Sequence, residues 1–135
     1  MDHENRLPDQ QATLRIVAMP ADTNSAGDIF GGWIMSQVDI AGSILAHQKA
    51  EGRVATVAVQ SFTFLKPVFV GDVVSCYTRV NKIGHTSITI DVTVYAERDH
   101  SLKGCEKVAE GILTYVAIDE HRQPRPIPVK GLSNT

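Results

Sequence analysis

Residues 24–39, NSAGDIFGGWIMSQVD, decide how this chain is read, because they join a glycine-rich turn to an apolar helix carrying one lone carboxylate. Gly27, Gly31 and Gly32 let backbone approach a ligand with no Cβ in the way, and a helix starting near Phe30 aims unpaired N–H groups at whatever sits there. Such donors suit a carbonyl oxygen that gains negative charge during acyl transfer. Asp39 follows Gly32 by seven residues, so it lies on roughly the same side of the helix and about 10 Å further along. A carboxylate so placed reaches poorly to a carbonyl held at its own helix start. A second copy of the fold can bring the two together.

Working outward, residues 12–19 (ATLRIVAM) read as a first strand ended by Pro20 and a turn rich in Asp22, Asn24 and Gly27. The helix expected from Phe30 to about Lys49 repeats apolar positions at Ile34, Val38, Ala41 and Leu45. Trp33, Met35 and Ile40 widen that stripe until the helix reads as mostly buried. Gly52 is expected to stop it. Residues 54–66 then read as a long strand, 73–82 and 87–97 as a hairpin around Ile83, Gly84, His85 and Thr86, and 105–118 as the last strand. The proline-bearing tail from Asp119 reads as irregular and partly ordered. We expect an α+β fold: a long central helix wrapped by a curved antiparallel sheet of about five to six strands. The domain spans 12–128, with flexible segments at 1–11 and 129–135. An open sheet edge makes a homodimer the default expectation.

Composition bounds the function. The chain has 135 residues, 43% hydrophobic and 21% charged, with a net charge of −2. That is ordinary for one globular domain and lacks the basic field that holds a nucleic-acid backbone, so no nucleic-acid partner is expected. The polar start, MDHENRLPDQQ, has no apolar signal region and no run approaches a membrane span, so the protein reads as cytoplasmic with no membrane partner. Cys76 and Cys105 read as buried free thiols. His3, His47, His100 and His121 show no ligand spacing, and metal chemistry is not expected. No GxSxG elbow or Walker-type loop is present.

Taken together, the order of elements, Asn24, Gly27-Asp28, Phe30-Gly31-Gly32-Trp33 with Asp39, and Lys66-Pro67-Val68 with Gly71-Asp72 resemble the hotdog-fold acyl-CoA thioesterases. Within that family they are similar to the small bacterial branch typified by YciA. The resemblance runs from about Thr13 to Pro128. It implies hydrolysis of acyl-CoA to CoA and the free acid without a metal or other cofactor. It also implies two hotdogs sharing one continuous sheet, often with three such dimers assembled as a hexamer.

By that resemblance the catalytic carboxylate falls on Asp39, as general base on water or as nucleophile forming a mixed anhydride. Asn24 would orient the carbonyl or the water, the Gly31 or Gly32 N–H would hold the oxyanion, and Thr56 would hydrogen-bond the carboxylate or the water. Read without the family, Asp39 also fits an exposed helix face. Its neighbours Val38, Ile40, Ala41 and Gly42 argue against full exposure. Asn24 alone reads first as a turn residue, and Asp28 as the helix N-cap. Lys66, Lys82, Gly84, His85 and Ser87 are candidates for the CoA phosphates. Equally, Lys66 ends a strand in solvent and Gly84-His85-Thr86-Ser87 is a plain hairpin turn. Relatives often carry arginine after that glycine where this chain has His85. Arg122 and Arg125 are weaker candidates for the same phosphates. Trp33, Met35, Phe62 and Phe64 would set the depth of an acyl pocket. Two alternatives stay open: a non-catalytic acyl-CoA binding module, and a hotdog dehydratase, whose helix-start histidine has no counterpart here.

Overall fold

Period-two alternation in three long strands places one apolar row over the helix. Val74 and Cys76, then Ile88, Ile90, Val92 and Val94, then Ala109, Leu113, Tyr115 and Ala117 are all buried in one cluster with Ile34, Val38, Ala41, Ala46 and Ala50. A computed structural model describes residues 6–98 and 104–128. In chain order these form β1 (Leu14–Val17), a 3-10 turn at Pro20–Asp22, the helix α1 (Gly31–Ala50), β2 (Val54–Phe64), β3 (Val73–Ile83), β4 (Ser87–Glu97) and β5 (Glu106–Ala117). The five strands make one antiparallel sheet in the order β1-β3-β4-β5-β2, as the α+β reading requires. The register shifts in the β2–β5 pair, between Thr56 and Ala58 and between Val59 and Ser61. Such irregularities bend a strand, here helping the sheet curve round α1. A Cβ at Gly111 of β5 would stand 2.9 Å from the Phe62 ring, so the bare backbone makes room for that side chain.

Three expectations need correction. The first strand is half the expected length, because the chain leaves the sheet at Ala18 for the 3-10 turn. The helix ends at Ala50 with Glu51, not Gly52, in the left-handed conformation (φ 53°, ψ 45°); the N–H groups of both Glu51 and Gly52 bond the His47 carbonyl. The helix is also less buried than its composition suggests: Ile40 is 47% exposed and Ile44 37%. Both belong to a flank that the chain's own sheet leaves bare. Residues 1–5, 99–103 and 129–135, and with them His3 and His100, lie outside the described residues. In the segment before β1, Leu7 packs against Tyr77, Tyr95 and Cys105 on a second, smaller apolar cluster.

One ion-pair network fixes the loop between β2 and β3. Arg98, just past β4, donates from Nε and Nη2 to the fully buried Asp72 at 2.9 and 3.0 Å, and from Nη1 to Glu106 at 2.8 Å. Its guanidinium also sits 4.8 Å from the centre of the Phe69 ring. Asp72 in turn accepts the Phe69 N–H at 3.0 Å, closing the turn that Gly71 makes at φ +90°. Burial pushes the Glu106 carboxyl up, but its bonds from Arg98 and Lys66 outweigh that and hold it below its usual range. Removing the arginine strands a buried charge. Arg98→Met is therefore expected to destabilise the fold by about 3–5 kcal/mol, read by urea or thermal unfolding; a change near zero would show that the network carries no net stability.

Candidate active site

The turn before α1 is held by its own backbone. Asn24 N–H bonds the Asp28 carbonyl at 2.7 Å, Ile29 N–H the Val68 carbonyl at 3.0 Å and Phe30 N–H the Asp22 carbonyl at 2.9 Å. Asn24 Oδ1 accepts the N–H groups of Ala26 and Asp28 at 2.9 and 3.2 Å. The turn reading of Asn24 is thus correct for its oxygen, and its Nδ2 is what the side chain has left to offer a ligand. Asp28 is not the N-cap. That position is Phe30, whose side chain cannot accept a hydrogen bond. Trp33 and Ile34 N–H groups turn back to the Phe30 carbonyl, while those of Gly31 and Gly32 have no acceptor among the described residues. A Cβ on Gly32 would meet nothing within 4 Å, whereas one on Gly31 would stand 3.0 Å from the Phe64 ring, so the space is open beside Gly32 and walled by Phe64 beside Gly31.

A cleft of about 370 Å³ opens there, lined by Asn24, Gly31, Ile34, Phe64, Lys66 and Pro67 among others. Lys66, just past the end of β2, pairs its Nζ with Glu106 Oε2 at 3.2 Å while its side chain stays half exposed. The cleft thus has a cation at its rim that is already partly neutralised.

Asp39 stands elsewhere, eight residues along the helix from Gly31, which corresponds to about 12 Å of rise. Its carboxylate is half-buried against the sheet. Thr56 of β2 donates its hydroxyl to Asp39 Oδ1 at 2.7 Å. Tyr115 of β5 places its hydroxyl 2.9 Å from the Asp39 main-chain oxygen and 3.2 Å from Oδ1. Sequence reasoning foresaw the threonine and missed the tyrosine. The signal was present, since a phenol on the otherwise apolar inward face of β5 needs a polar partner. Burial, with the neighbouring Asp39 charge and hydrogen bond, pushes the Tyr115 phenol far above its ordinary range, so it stays a donor at any physiological pH.

The hairpin candidates Lys82, Gly84 and His85 are exposed and Ser87 is half-buried. They lie at the opposite end of α1 from the Asn24 turn. Ile127 N–H bonds the His85 carbonyl at 2.8 Å, and Arg125, two residues earlier, donates to the Ala50 carbonyl at 3.0 Å and to that of Ile118 at 3.1 Å. Arg125 is therefore occupied at the helix C-terminus, and its candidacy as a phosphate ligand is withdrawn. Within one chain the candidates fall into three groups: donors and Lys66 at the helix start, the anchored carboxylate at mid-helix, and the exposed hairpin at the helix end.

Along β2, which pairs on one side with β5, Val57, Val59 and Phe64 are exposed and the other edge has no strand partner among the described residues. This eleven-residue strand, with one edge unpaired among the described residues, runs beside the exposed Ile40 and Ile44 of α1.

One helix on a sheet ordered β1-β3-β4-β5-β2, with a glycine-rich helix start and a mid-helix carboxylate, is the arrangement of hotdog thioesterases. The chain belongs to the thioesterase superfamily, whose family model matches residues 26–103. It is 52% identical over 129 residues to the acyl-CoA thioester hydrolase YciA of Salmonella typhimurium, covering 94% of this chain and 97% of that one. It superposes with TM-score 0.85 on a hexameric, broad-specificity acyl-coenzyme A thioesterase at 46% identity, covering 95% and 90% of the two chains. An acyl-CoA hydrolase from Staphylococcus aureus, solved with butyryl coenzyme A and coenzyme A, matches at TM-score 0.78 and 30% identity over 85% of this chain and 70% of that one.

Neither thiol is placed to act as a nucleophile. Cys76 and Cys105 are free and buried, and burial pushes the Cys76 thiol up to about 12. The folded protein is expected to leave Cys76 unmodified by iodoacetamide at pH 8 and to take up label there only when unfolded. Rapid native labelling, mapped by peptide mass, would contradict this burial.

Proposed function

We propose that this protein hydrolyses acyl-CoA thioesters to CoA and the carboxylic acid, at sites built between two copies of the chain. The observation that carries this reading is the carboxylate anchored on one helix about 12 Å from the oxyanion-type donors of that helix, next to an open strand edge. Two β2 edges related by a two-fold axis pair antiparallel, so the helix start of each copy moves toward the distal half of its partner. Asp39 of one copy then faces the Asn24 turn and the Gly31-Gly32 donors of the other. The Lys82, Gly84, His85 and Ser87 hairpin of the first approaches Lys66 of the second, where a CoA phosphate would lie.

In that site Asp39 takes a proton from water as the water oxygen attacks the thioester carbonyl. The oxyanion is held by the Gly31 or Gly32 N–H, and Asn24 Nδ2 orients the carbonyl. Collapse breaks the C–S bond and releases the CoA thiolate, which regains a proton. Spacing in a relative supports the assignment: in the S. aureus hydrolase, the aspartate and the asparagine whose alanine variants were solved stand fifteen residues apart, as Asp39 and Asn24 do here. The hexameric relatives support assembly of three dimers, and the broad specificity of one supports tolerance of several acyl lengths. Free thiols fit the cytoplasm as its compartment. The dehydratase alternative is not favoured, because glycine and tryptophan stand where its helix-start histidine is needed.

Release of CoA thiol from acyl-CoAs of graded chain length tests the activity. Asp39→Asn and Asp39→Ala are expected to lose on the order of a hundredfold or more in kcat with unchanged oligomeric size. Turnover absent in the native protein, with CoA still bound, would replace this reading with the binding module. The shared site has its own check. Co-refolding Asp39→Asn with Asn24→Ala subunits should restore about a quarter of native activity, since half of the random dimers regain one intact site of two; no recovery would place both residues in the same subunit's site.

A further inference from the structure

The assignment of Asp39 as general base leaves open what aims it, and the fold supplies an answer outside the turn and the helix start. Tyr115 is fully buried on the inward face of β5, and its hydroxyl carries one proton between two acceptors on the same residue: the Asp39 main-chain oxygen at 2.9 Å and the carboxylate Oδ1 at 3.2 Å. Thr56, the cross-strand partner of Tyr115 in the β2–β5 pair, holds the same Oδ1 at 2.7 Å. Oδ1 is thus taken by two hydroxyls from two different strands, and Oδ2 is left for water.

Gly42 shows what this geometry requires of the helix. It lies three residues after Asp39, one turn further along and facing the sheet, and it is buried. A Cβ there would overlap the Tyr115 hydroxyl and stand 3.0 to 3.1 Å from two further atoms of the ring. Glycine in mid-helix ordinarily costs about 1 kcal/mol relative to alanine. Its backbone is plainly helical here, so no unusual φ demands it. The bare Cα is the space through which the phenol reaches the carboxylate.

We propose that Tyr115 is a positioning residue for thioester hydrolysis, its hydroxyl passing beneath Gly42 to fix the Asp39 side chain against its own helix so that Oδ2 faces the attacking water. It acts through orientation, since it is neutral and remains so: burial and the adjacent carboxylate hold the phenol well above its normal range. This inference rests on the role of Asp39, and its test separates the two.

The experiment is steady-state CoA release by the full-length oligomer with one saturable acyl-CoA, for the native protein, Tyr115→Phe, Gly42→Ala, Asp39→Asn and the Asp39→Asn/Tyr115→Phe double variant. Tyr115→Phe keeps the ring that packs in the core and deletes only the hydroxyl. It should lower kcat by about tenfold, the effect of one hydrogen bond to a charged group, with KM within about twofold. In the Asp39→Asn background the same substitution should have no further effect on the residual rate, because there is no base left to aim. Gly42→Ala, which keeps the hydroxyl but pushes it off Asp39, should reproduce the kcat loss, and it carries the test if Tyr115→Phe fails to assemble. If Asp39→Asn loses on the order of a hundredfold while Tyr115→Phe keeps the native kcat, or lowers the native and the residual Asp39→Asn rates by the same factor, the positioning role is overturned and the general-base assignment stands. If Asp39→Asn turns over normally, both fall.

Discussion

The close seating of α1 on the sheet is the constraint from which the rest of this structure follows. The buried face of the helix is built from small residues, Ala41, Gly42, Ala46 and Ala50, flanked by Ile34 and Val38. Small side chains bring the helix axis near the strands, and the bulk of the core is supplied from below by Ile88, Ile90, Leu113 and Tyr115. A larger residue at any of these helix positions would lift the helix. Because the helix lies so low, a phenol rooted in the sheet reaches a carboxylate and a carbonyl on the helix. The chain's catalytic candidates are thereby tied to its core packing.

Rigidity along the helix has a second consequence. The free N–H groups of Gly31 and Gly32 and the carboxylate of Asp39 ride on one continuous helix, so their separation is fixed by helical rise. No side-chain rearrangement within one chain closes that distance. The proposed composite site meets this restriction by symmetry, and the open apolar edge of β2 is the surface on which symmetry can act. Val57, Val59, Phe64, Ile40 and Ile44 are exposed in the single chain for a physical reason. The described part of the chain leaves much of their apolar surface uncovered, and water is a poor partner for it.

Charge is arranged in the same economical way around the cleft. Asp72 has no contact with solvent, and its compensation comes from Arg98, which reaches across from the end of β4 and also holds Glu106. Glu106 in turn pairs with Lys66. The loop from Lys66 to Asp72 that borders the cleft is therefore set by Arg98 and Glu106, groups from the end of β4 and from β5, and the lysine at the rim enters any encounter with an anion already sharing its charge.

Local physics made much of this legible in the linear sequence. Period-two apolar runs gave the long strands within a residue or two, and the apolar run after Gly31 and Gly32 gave the helix, because both signals depend only on near neighbours. The glycine pair, Asn24 and Asp39 were visible as residue types that chemistry rather than packing would choose. Where sequence reasoning missed, distant partners were responsible. Phe30 took the cap from Asp28 because the backbone path from Asp22 to Val68 sets where the helix starts. Arg125 left the phosphate candidates because the tail folds back to the helix C-terminus. Tyr115, 76 residues from Asp39, joined the candidate site only through the β5 register and the bare Gly42 above it. Sequence by itself determined which elements form and which side chains can do chemistry, since those are properties of short segments. Only the tertiary structure decided which groups meet and which apolar surfaces stay bare, because contacts between distant segments depend on strand order and helix height, and neither is written in any local stretch.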